Sequence, residues 1–517
     1  MSHISKVYSA ELEGIDARLI EVETDINVGL HSFNIVGLAD KALSEAKERV
    51  NSALKNIGVK APNKENRRIV VNLAPADVRK NGSHYDLSIA IGYLLATRQM
   101  KEFDAGDKIF VGELSLEGRL RPVHGALNIA RLAEKKGFRF LFIPAENAHE
   151  AAITAGVTVV PVRDLAELMN HLEERAIISA QPRTELIYET PFEYPRLSEI
   201  KGQAYAKRAL MIAAAGGHNL LMSGPPGTGK TMLAQALNVL LPPPTHEELI
   251  EVTQVHSAAG ILSDHYMRHR PFRAPHHTAS PVAVVGGGQR PKPGEMSLAH
   301  RGVLFLDELP EFRRDLLEAL RQPLESGNVV VARAKESITF PARFMLVAAM
   351  NPCPCGYYGD EEKECSCGNF EVMRYQKKVS GPLLDRIDMQ IHVPRVRIEE
   401  LRTRAPHEVH QEDSETVAVQ KKVARARALQ QERFRKLLKR TIFTNAELTS
   451  KECELVVRLT KDAEKLFDDT FTASLLSPRA YYRVLKVART IADLEGSEIV
   501  GEDHIAEAFN YRLRNTD

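Results

Sequence analysis

The chain has 517 residues, too many for one hydrophobic core, and its length predicts two or three domains. Its 69 lysines and arginines almost balance its 68 aspartates and glutamates, so any nucleic-acid surface must be local rather than a property of the whole chain. No apolar run is long enough to cross a bilayer, and the first residues form no signal-peptide pattern. We therefore expect a cytoplasmic protein with no membrane partner.

Residues 1–180 predict a first domain of the α+β class. Alternating apolar positions predict strands over 18–22 and 68–73, and helical spacing predicts helices over 40–50 and 86–97. Helices and strands mix here without a strict alternation, which favours α+β over a wholly parallel sheet.

Two stretches of this domain, 80–86 and 111–125, resemble the proteolytic domain of Lon-type proteases. That family cleaves peptides with a serine nucleophile and a lysine base, and the corresponding positions hold His84 and Ile129. Since Ile129 has no proton to exchange, the resemblance implies a Lon-like fold without peptidase activity, used for binding or assembly. A protease acting through Ser83, one position away, remains a third hypothesis for the function.

The strongest motif follows a predicted linker over 181–198, where prolines recur without a sustained period. The apolar run 220–222 leads into the pattern G-x-x-x-x-G-K-T, which predicts a strand, a glycine-rich turn and a helix. Backbone N–H groups of such a turn cradle phosphates; we expect Lys230 to reach the β- and γ-phosphates of ATP and Thr231 to bind Mg²⁺. The residues expected to hold the nucleotide are Gly224, Pro225, Pro226, Gly227, Thr228, Gly229, Lys230 and Thr231.

Polar residues end the next two apolar runs. The run 302–306 ends in Asp307 and Glu308, which we expect to hold the water shell of the metal and to polarise the attacking water, respectively. The run 343–350 ends in Asn351, whose side chain can align that water with the γ-phosphate. Together with the phosphate loop, these residues predict an ATPase that forms ADP and phosphate.

These motifs, with the Ile-x-Gly-Gln segment at 200–203, resemble AAA+ ATPases, and the resemblance places an α/β P-loop core over 199–398. It implies that Arg386, in the stretch L-L-D-R-I-D, is an arginine finger that enters the site of the neighbouring subunit. It also implies that Arg479 is a second sensor that reaches the γ-phosphate from a helical connector and lid over 399–517. A finger acting between subunits implies a ring.

Four of the five cysteines form two C-x-C pairs nine residues apart. Four thiolates in one loop suit a tetrahedral structural Zn²⁺, with reactive thiols as the alternative. The expected zinc ligands are Cys353, Cys355, Cys365 and Cys367. A second possible metal site is formed by four histidines, which no carboxylate or cysteine accompanies: His265, His269, His276 and His277.

Two further segments of the core are candidate DNA contacts. Glycines and prolines over 286–293 predict a loop or hairpin, and the pattern over 328–340 predicts a β-hairpin. A hairpin at this place resembles the MCM and Mg-chelatase branch of AAA+ proteins, where it points into the central pore. The residues expected to hold DNA phosphates are Arg290, Lys292, Arg333 and Lys335, a solvated loop being the alternative for the first pair. The basic helix predicted over 417–440 fits a DNA-binding face and an ordinary charged surface equally well.

Three stretches together, 272–278, 340–356 and 383–388, resemble the Mg-chelatase-like ComM/YifB family, and the likeness covers nearly the whole chain. It implies a multidomain α/β protein with a Lon-like first domain, an AAA+ core with a zinc-binding loop, and a helical lid. The function it implies is that of a hexameric DNA helicase that drives branch migration in natural transformation, acting on single-stranded and branched DNA alongside recombination proteins. The alternative is a Mg-chelatase-type motor subunit that remodels a protein partner.

Overall fold

The computed structural model describes residues 4–37, 41–64, 66–78, 80, 82–189, 194–288, 291–332, 337–397, 399–400, 414–474 and 476–512. The chain divides into two units. The first unit contains Met1–Ile187 and Leu249–Arg268, and the second contains Tyr188–Glu248 and His269–Asp517. Among the described residues, no helix combines the length and the apolar composition needed to span a bilayer.

The first unit is built on a mixed sheet. The strands of this unit are β1 (Ser5–Glu13), β2 (Asp16–Val28), β3 (Ser32–Val36), β4 (Arg67–Ala74), β5 (Lys108–Phe110), β6 (Glu113–Leu114), β7 (Leu120–Arg121), β8 (Phe140–Pro144) and β9 (Thr158–Val162). In the described part of the unit, seven of them form one sheet in the order β3-β4-β2-β1-β5-β8-β9, and β6 pairs with β7. The pairs β1–β2 and β2–β4 are antiparallel, and the other pairs of the large sheet are parallel.

Helices cover both faces of this sheet. They are α1 (Lys41–Asn56), α2 (Asp86–Ala96), α3 (Ala126–Lys136), α4 (Ala148–Ala151) and α5 (Leu165–Leu172), with 3₁₀ turns at Pro62–Lys64 and Ala145–Asn147. Side chains alternate along a strand, so the neighbours Leu141 and Phe142 of β8 enter two different apolar clusters. The cluster of Phe142 contains α1 and α2, and the cluster of Leu141 contains α3. Ile129 is only 2% exposed within α3, so it serves as a core residue.

A segment that follows the phosphate loop in sequence also belongs to the first unit. The helix His246–Ala259 contributes its residues from Leu249 onward, and Leu249 and Tyr266 pack in one apolar cluster with Leu127. The buried carboxylate of Glu150 accepts hydrogen bonds from the Ser257 hydroxyl and from the Leu127 backbone N–H. The sequence did not indicate this association.

The second unit is built on a parallel sheet. Its strands are β10 (Leu220–Ser223), β11 (Phe272–Arg273), β12 (Gly286–Gly287), β13 (Lys292–Pro293), β14 (Val303–Leu306), β15 (Asn328–Ala332), β16 (Ser337–Pro341), β17 (Met345–Met350) and β18 (Met389–His392). Five described strands form the main sheet in the order β11-β14-β17-β10-β18, and every pair in it is parallel. The α/β core predicted from the sequence is therefore confirmed, and its main sheet is parallel. The predicted hairpin over 328–340 is confirmed as the antiparallel pair β15–β16.

Helices cover this sheet on both faces, which explains why its strands are continuous apolar runs. The helices are α6 (Ala204–Gly216), α7 (Lys230–Leu240), α8 (His246–Ala259, shared with the first unit), α9 (Pro281–Val285), α10 (Glu295–Leu298), α11 (Arg314–Ala319), α12 (Pro323–Ser326), α13 (Asn369–Gln376), α14 (Gly381–Leu384), α15 (Ser414–Leu437), α16 (Ser450–Val456), α17 (Lys461–Ala473), α18 (Pro478–Glu495) and α19 (Glu502–Asn510), with 3₁₀ turns at Leu197–Glu199, Leu309–Glu311 and Asn445–Glu447. Leu220 and Leu221 of β10 enter different clusters, one with α6, α7, α15 and α18, the other with α11 and α14.

The basic helix predicted over 417–440 is α15, and the fold uses part of its charge. Arg427 donates to the carbonyl oxygen of Ala214 at 2.7 Å, and burial lowers the pKa of Arg427 to about 10. Arg433 pairs with the buried carboxylate of Asp493. These two cations therefore stabilise the packing of the helix, whereas Lys421 and Lys422 are exposed.

Candidate active site

The groups that the sequence placed after three different strands meet at one edge of the parallel sheet. In the order β14-β17-β10 the strands are neighbours and run in the same direction, so their carboxyl ends lie side by side. Asp307 follows β14, Asn351 follows β17, and the phosphate loop 224–229 follows β10. The carboxyl edge of an open α/β sheet is where such folds bind their ligands.

The phosphate loop turns sharply into α7. Gly227 and Gly229 have φ angles of 78° and 83°, which lie in the left-handed region that glycine adopts at little cost. Lys230 is the first residue of the helix, and its Nζ donates to the carbonyl oxygens of Gly224 and Pro225, each at 2.8 Å. Burial lowers the pKa of this lysine. The ammonium group is thereby held at a helix N-terminus, where backbone N–H groups favour phosphate.

Lys230 also joins the loop to the next strand end. Its Nζ donates to Oδ1 of Asn351 at 3.2 Å, so the polar residue that ends β17 lies within reach of the same phosphate position. A bound γ-phosphate would therefore meet the lysine and the asparagine together.

Thr231 and Asp307 bring two oxygen ligands together. The Thr231 hydroxyl donates to Oδ2 of Asp307 at 2.9 Å. A hydroxyl and a carboxylate are hard oxygen ligands of the kind that Mg²⁺ takes beside nucleotide phosphates and retained waters. The pair fits Mg²⁺, which would neutralise phosphate charge when bound.

Glu308 follows directly, with a side chain that is about half exposed. Its backbone N–H donates to Oδ1 of Asp307 at 2.9 Å, and its φ of 52° is an uncommon conformation for a residue other than glycine. Nδ1 of His277 lies 3.5 Å from Oε2 of Glu308. The sequence had raised His277 only as a metal ligand. In the part of the chain that the structure describes, the four clustered cysteines are the one group with metal-ligand spacing, so His277 is instead a neighbour of the expected base.

Arg386 lies at the opposite edge of the sheet. It comes just before β18, whose first residue Met389 is paired with Leu220, the first residue of β10. The Asn219 side chain donates to the carbonyl oxygen of Arg386 at 3.3 Å, so Arg386 lies beside the amino end of β10. A four-residue strand rises about 13 Å, and this length separates Arg386 from the phosphate loop of its own chain.

The guanidinium of Arg386 is 4% exposed and paired within the chain. It donates to the Pro382 carbonyl oxygen at 2.7 Å and to Oε1 of Glu325 at 2.5 Å, and burial lowers its pKa. Arg479, in the first turn of α18, lies 3.7 Å from the same Glu325 oxygen. No hydrogen bond or ion pair within the described residues joins either arginine to the phosphate loop. The structure thus brings the expected arginine finger, Arg386, and the expected second sensor, Arg479, together at Glu325, which no sequence motif had indicated.

The four cysteines come together as predicted. Their Sγ atoms all lie within 4.8 Å of one another, and three of the pairs are 3.3, 3.5 and 3.6 Å apart. Sulfurs bound to a tetrahedral zinc at 2.3 Å are roughly 3.8 Å apart, so the four residues fit this metal. A hydrogen bond from the Tyr357 backbone N–H lowers the pKa of Cys355 to about 5, so the thiolate form is favoured at this residue. At Cys365 and Cys367, a backbone hydrogen bond is outweighed by desolvation and by hydrogen bonds with the other thiols, which raise the pKa.

Of the four candidate DNA contacts, Lys292 is described. It is exposed on β13, in the short ribbon formed with β12. Arg290, Arg333 and Lys335 lie outside the described residues. The DNA-binding role of all four residues remains a prediction.

A parallel sheet with a phosphate loop, a carboxylate pair and an asparagine at one edge defines a P-loop protein of the AAA+ class. Models of magnesium chelatase subunit ChlI match residues 22–147 and 196–401, and a model of the ChlI C-terminal region matches 411–512. Competence protein ComM of Haemophilus influenzae is 45% identical over 98% of this chain and 97% of its own, and the uncharacterized protein YifB of Escherichia coli is 41% identical over 98% and 97%. The magnesium-chelatase 38 kDa subunit of Acidiphilium rubrum is 30% identical over 62% of this chain and 91% of its own. The chain belongs to the Mg-chelatase-like ComM/YifB family.

Proposed function

We propose that the protein is an ATPase that works as a hexameric ring. The observation that carries the proposal is the division of the charged groups between the two edges of one sheet. Lys230 and the Thr231–Asp307 pair can take the phosphates and Mg²⁺ at the carboxyl edge, while Arg386 and Arg479 lie at the amino edge. In a closed ring, the amino edge of each chain faces the nucleotide of its neighbour, and every site becomes complete.

Within that site each residue has one task. Glu308 polarises the attacking water, Asn351 aligns it, and Arg386 and Arg479 from the neighbour neutralise the charge that develops on the γ-phosphate. Zn²⁺ has a structural task and is held by the four cysteines. The first unit is a Lon-like binding or assembly module, and the helices after residue 399 form the lid.

The substrate of this motor is DNA, single-stranded or branched, gripped without sequence preference. The relationship to a protein named for competence supports this choice. Two elements can hold backbone phosphates of DNA: the hairpin β15–β16, and the exposed Lys292 on the separate ribbon β12–β13. We infer that the ring drives branch migration of recombination intermediates during natural transformation, in the cytoplasm and together with recombination proteins.

The test uses labelled three-way and four-way DNA junctions of non-specific sequence with the purified protein and Mg-ATP. Wild-type protein should resolve the junctions. Glu308→Gln preserves side-chain size but removes the general base, and it should lower hydrolysis and junction movement by about 100-fold or more. Junction movement of equal rate in the variant would overturn the proposal.

A second candidate is a Mg-chelatase-type motor subunit that remodels a protein partner. The matches to chelatase models over three ranges favour it. This function predicts ATP hydrolysis that does not respond to DNA and that rises when the protein partner is added. The junction experiment separates the two candidates, because a chelatase-type motor would leave the branch point in place.

A further inference from the structure

The four-cysteine loop, residues 353–367, touches the phosphate loop. Gly356, with a φ of 89°, sits so close to Pro226 that a Cβ added to the glycine would lie 2.7 Å from Cδ of the proline. Real Cβ atoms essentially never approach that closely. The backbone turn beside Cys355 therefore packs directly against the loop that is to hold the nucleotide phosphates.

The phosphate loop is held from another side by the end of β18. A Cβ on Gly224 would lie 2.1 Å from the carbonyl oxygen of Val393, and the Val393 backbone N–H donates to the carbonyl oxygen of Ser223 at 2.7 Å. Val393 and Gly356 thus contact successive parts of the phosphate loop. Val393 directly follows β18 of the main sheet, whereas Gly356 lies in a loop without regular structure.

The four-cysteine loop is held at its start and at its middle by hydrogen bonds from outside the loop, but it lacks regular structure. Gln376 donates to the Pro352 carbonyl oxygen at 3.1 Å, and Arg395 donates to Asp360 at 2.9 Å. Residues 353–367, all of which the structure describes, contain neither a helix nor a strand. Loops of this length without regular structure need other constraints to hold one conformation. The sulfur cluster is a further constraint, because it joins Cys353 and Cys355 at one end of the loop to Cys365 and Cys367 at the other, and Cys355 is the neighbour of Gly356.

We propose that a metal ion of the zinc type, bound by the four cysteines, braces the phosphate loop and thereby sets the affinity for nucleotide. This inference rests on the proposed ATP site. Metal fixes the position of Cys355, and so of Gly356 against Pro226. Without metal, the loop must be ordered when nucleotide binds, and the lost conformational entropy weakens that binding. We expect about a tenfold difference in affinity, within the usual range for coupled sites.

The coupling must be reciprocal, because the two binding free energies share one thermodynamic cycle. Nucleotide should therefore tighten zinc binding by the same factor. This second measurement needs no catalytic activity and no DNA, and it separates a brace from a metal that only stabilises the fold.

The first experiment uses the full-length protein and a fluorescent ATP analogue, with free Mg²⁺ buffered at a constant level. A zinc-selective chelator removes the metal, and metal content and circular dichroism are recorded for each sample. We expect the Kd for the analogue to rise about tenfold on zinc removal and to recover when one equivalent of Zn²⁺ is returned. Equal Kd values with and without zinc in folded protein would overturn the brace. Absence of nucleotide binding in both states would instead overturn the proposed ATPase function.

Two glycine variants test the contact between Gly356 and Pro226 without changing the cysteines. They can be compared even if removal of zinc unfolds the protein, because both keep the metal. Gly356→Ala places a Cβ against Pro226, whereas Gly359→Ala places one in open space at a similar φ of 76° in the same loop. Both variants carry similar backbone strain and should keep one zinc per chain. We expect Gly356→Ala alone to raise the Kd for nucleotide about tenfold. If the two variants bind nucleotide equally well, the contact with Pro226 has no such role.

Discussion

The two edges of the parallel sheet in the second unit carry different charged and polar side chains. At the carboxyl edge, Lys230 donates a hydrogen bond to Asn351 and Thr231 donates one to Asp307, and these groups can take phosphate and Mg²⁺. At the amino edge, two arginines meet at the carboxylate of Glu325. Within the described residues, no hydrogen bond or ion pair joins either of these arginines to the phosphate loop. This division of the charged groups supports the proposal that two chains of a ring together form one complete site.

The largest expected effect comes from removing the arginine at the amino edge. Arginine fingers contribute 10³-fold or more to the rate of phosphoryl transfer, so Arg386→Ala should lower kcat for ATP hydrolysis by about 1000-fold. The Kd for nucleotide of the isolated Arg386→Ala chain should stay within about twofold of the wild-type value, because the carboxyl edge is intact. Steady-state hydrolysis and equilibrium nucleotide binding measure the two quantities.

Mixing distinguishes action between subunits from action within one. Arg386→Ala chains keep the phosphate loop, and Lys230→Ala chains keep the arginine. Each variant alone should be inactive, and mixed rings should regain activity at interfaces that combine the two intact halves. Failure to recover on mixing, with both variants folded and assembled, would mean that both edges must be intact in the same chain.

A smaller effect is expected at Asp388, which ties the amino edge to the helix that carries Arg479. Its buried carboxylate accepts a hydrogen bond from the Asn219 backbone N–H at 2.9 Å and pairs with Arg483 of α18. Removing one partner of such a pair leaves a charge without compensation, so Asp388→Asn should lower the free energy of unfolding by about 3 kcal/mol at pH 7. Urea unfolding followed by circular dichroism measures the change.

The same pair predicts a pH dependence. Burial by itself raises the pKa of Asp388, but the charge of Arg483 and the His218 ring outweigh it and hold the pKa well below the usual value. A carboxyl with a depressed folded-state pKa stabilises the fold fully above its unfolded pKa of about 3.9 and loses that contribution as the pH falls below it. The stability difference between wild type and Asp388→Asn should therefore shrink between pH 5 and pH 3. A difference that stayed constant over this range would show that Asp388 does not titrate as described.

The carboxyl edge could be predicted from the sequence because each of its groups directly follows an apolar run. Asp307 ends β14 and Asn351 ends β17, so reading the strands places the residues. The same local logic predicted the β15–β16 hairpin and the cysteine cluster. Parallel strands then bring these ends together without further information, since their carboxyl ends share one edge.

The remaining features depend on contacts between segments that are distant in the chain. Nothing near Glu325 in the sequence indicates that two arginines converge on it, and nothing near Gly356 indicates its contact with Pro226. In the sequence, nothing distinguishes His277 from the other histidines that were considered as metal ligands. Its position beside Glu308 is set by the fold. The charges of α15 did not decide between a DNA-binding face and an ordinary charged surface. Neither alternative included the pairing of Arg433 with Asp493, because that pairing is a tertiary contact.

The smallest change in activity is expected at Glu325, the carboxylate that pairs with both arginines at the amino edge. Glu325 is about half exposed, so its pair with the exposed Arg479 adds little to stability, whereas its pair with the buried Arg386 adds more. In the proposed ring, its carboxylate lies where a phosphate of the neighbouring nucleotide would have to bind. Glu325→Gln keeps the shape and removes this competing charge. ATP-dependent assembly, measured as the protein concentration for half-maximal hydrolysis, should then need about threefold less protein, which corresponds to about 0.7 kcal/mol.

The matched control is Asp315→Asn, which removes a carboxylate from a nearby surface pair with Arg313 and should leave assembly unchanged. If Glu325→Gln required more protein than wild type, the carboxylate would be orienting the arginines for the neighbour rather than competing with its phosphates. That outcome would keep the division between the two edges but reverse the role of the amino edge in the free chain. The arginines would then be ready for the neighbouring nucleotide before assembly, because Glu325 holds them in place.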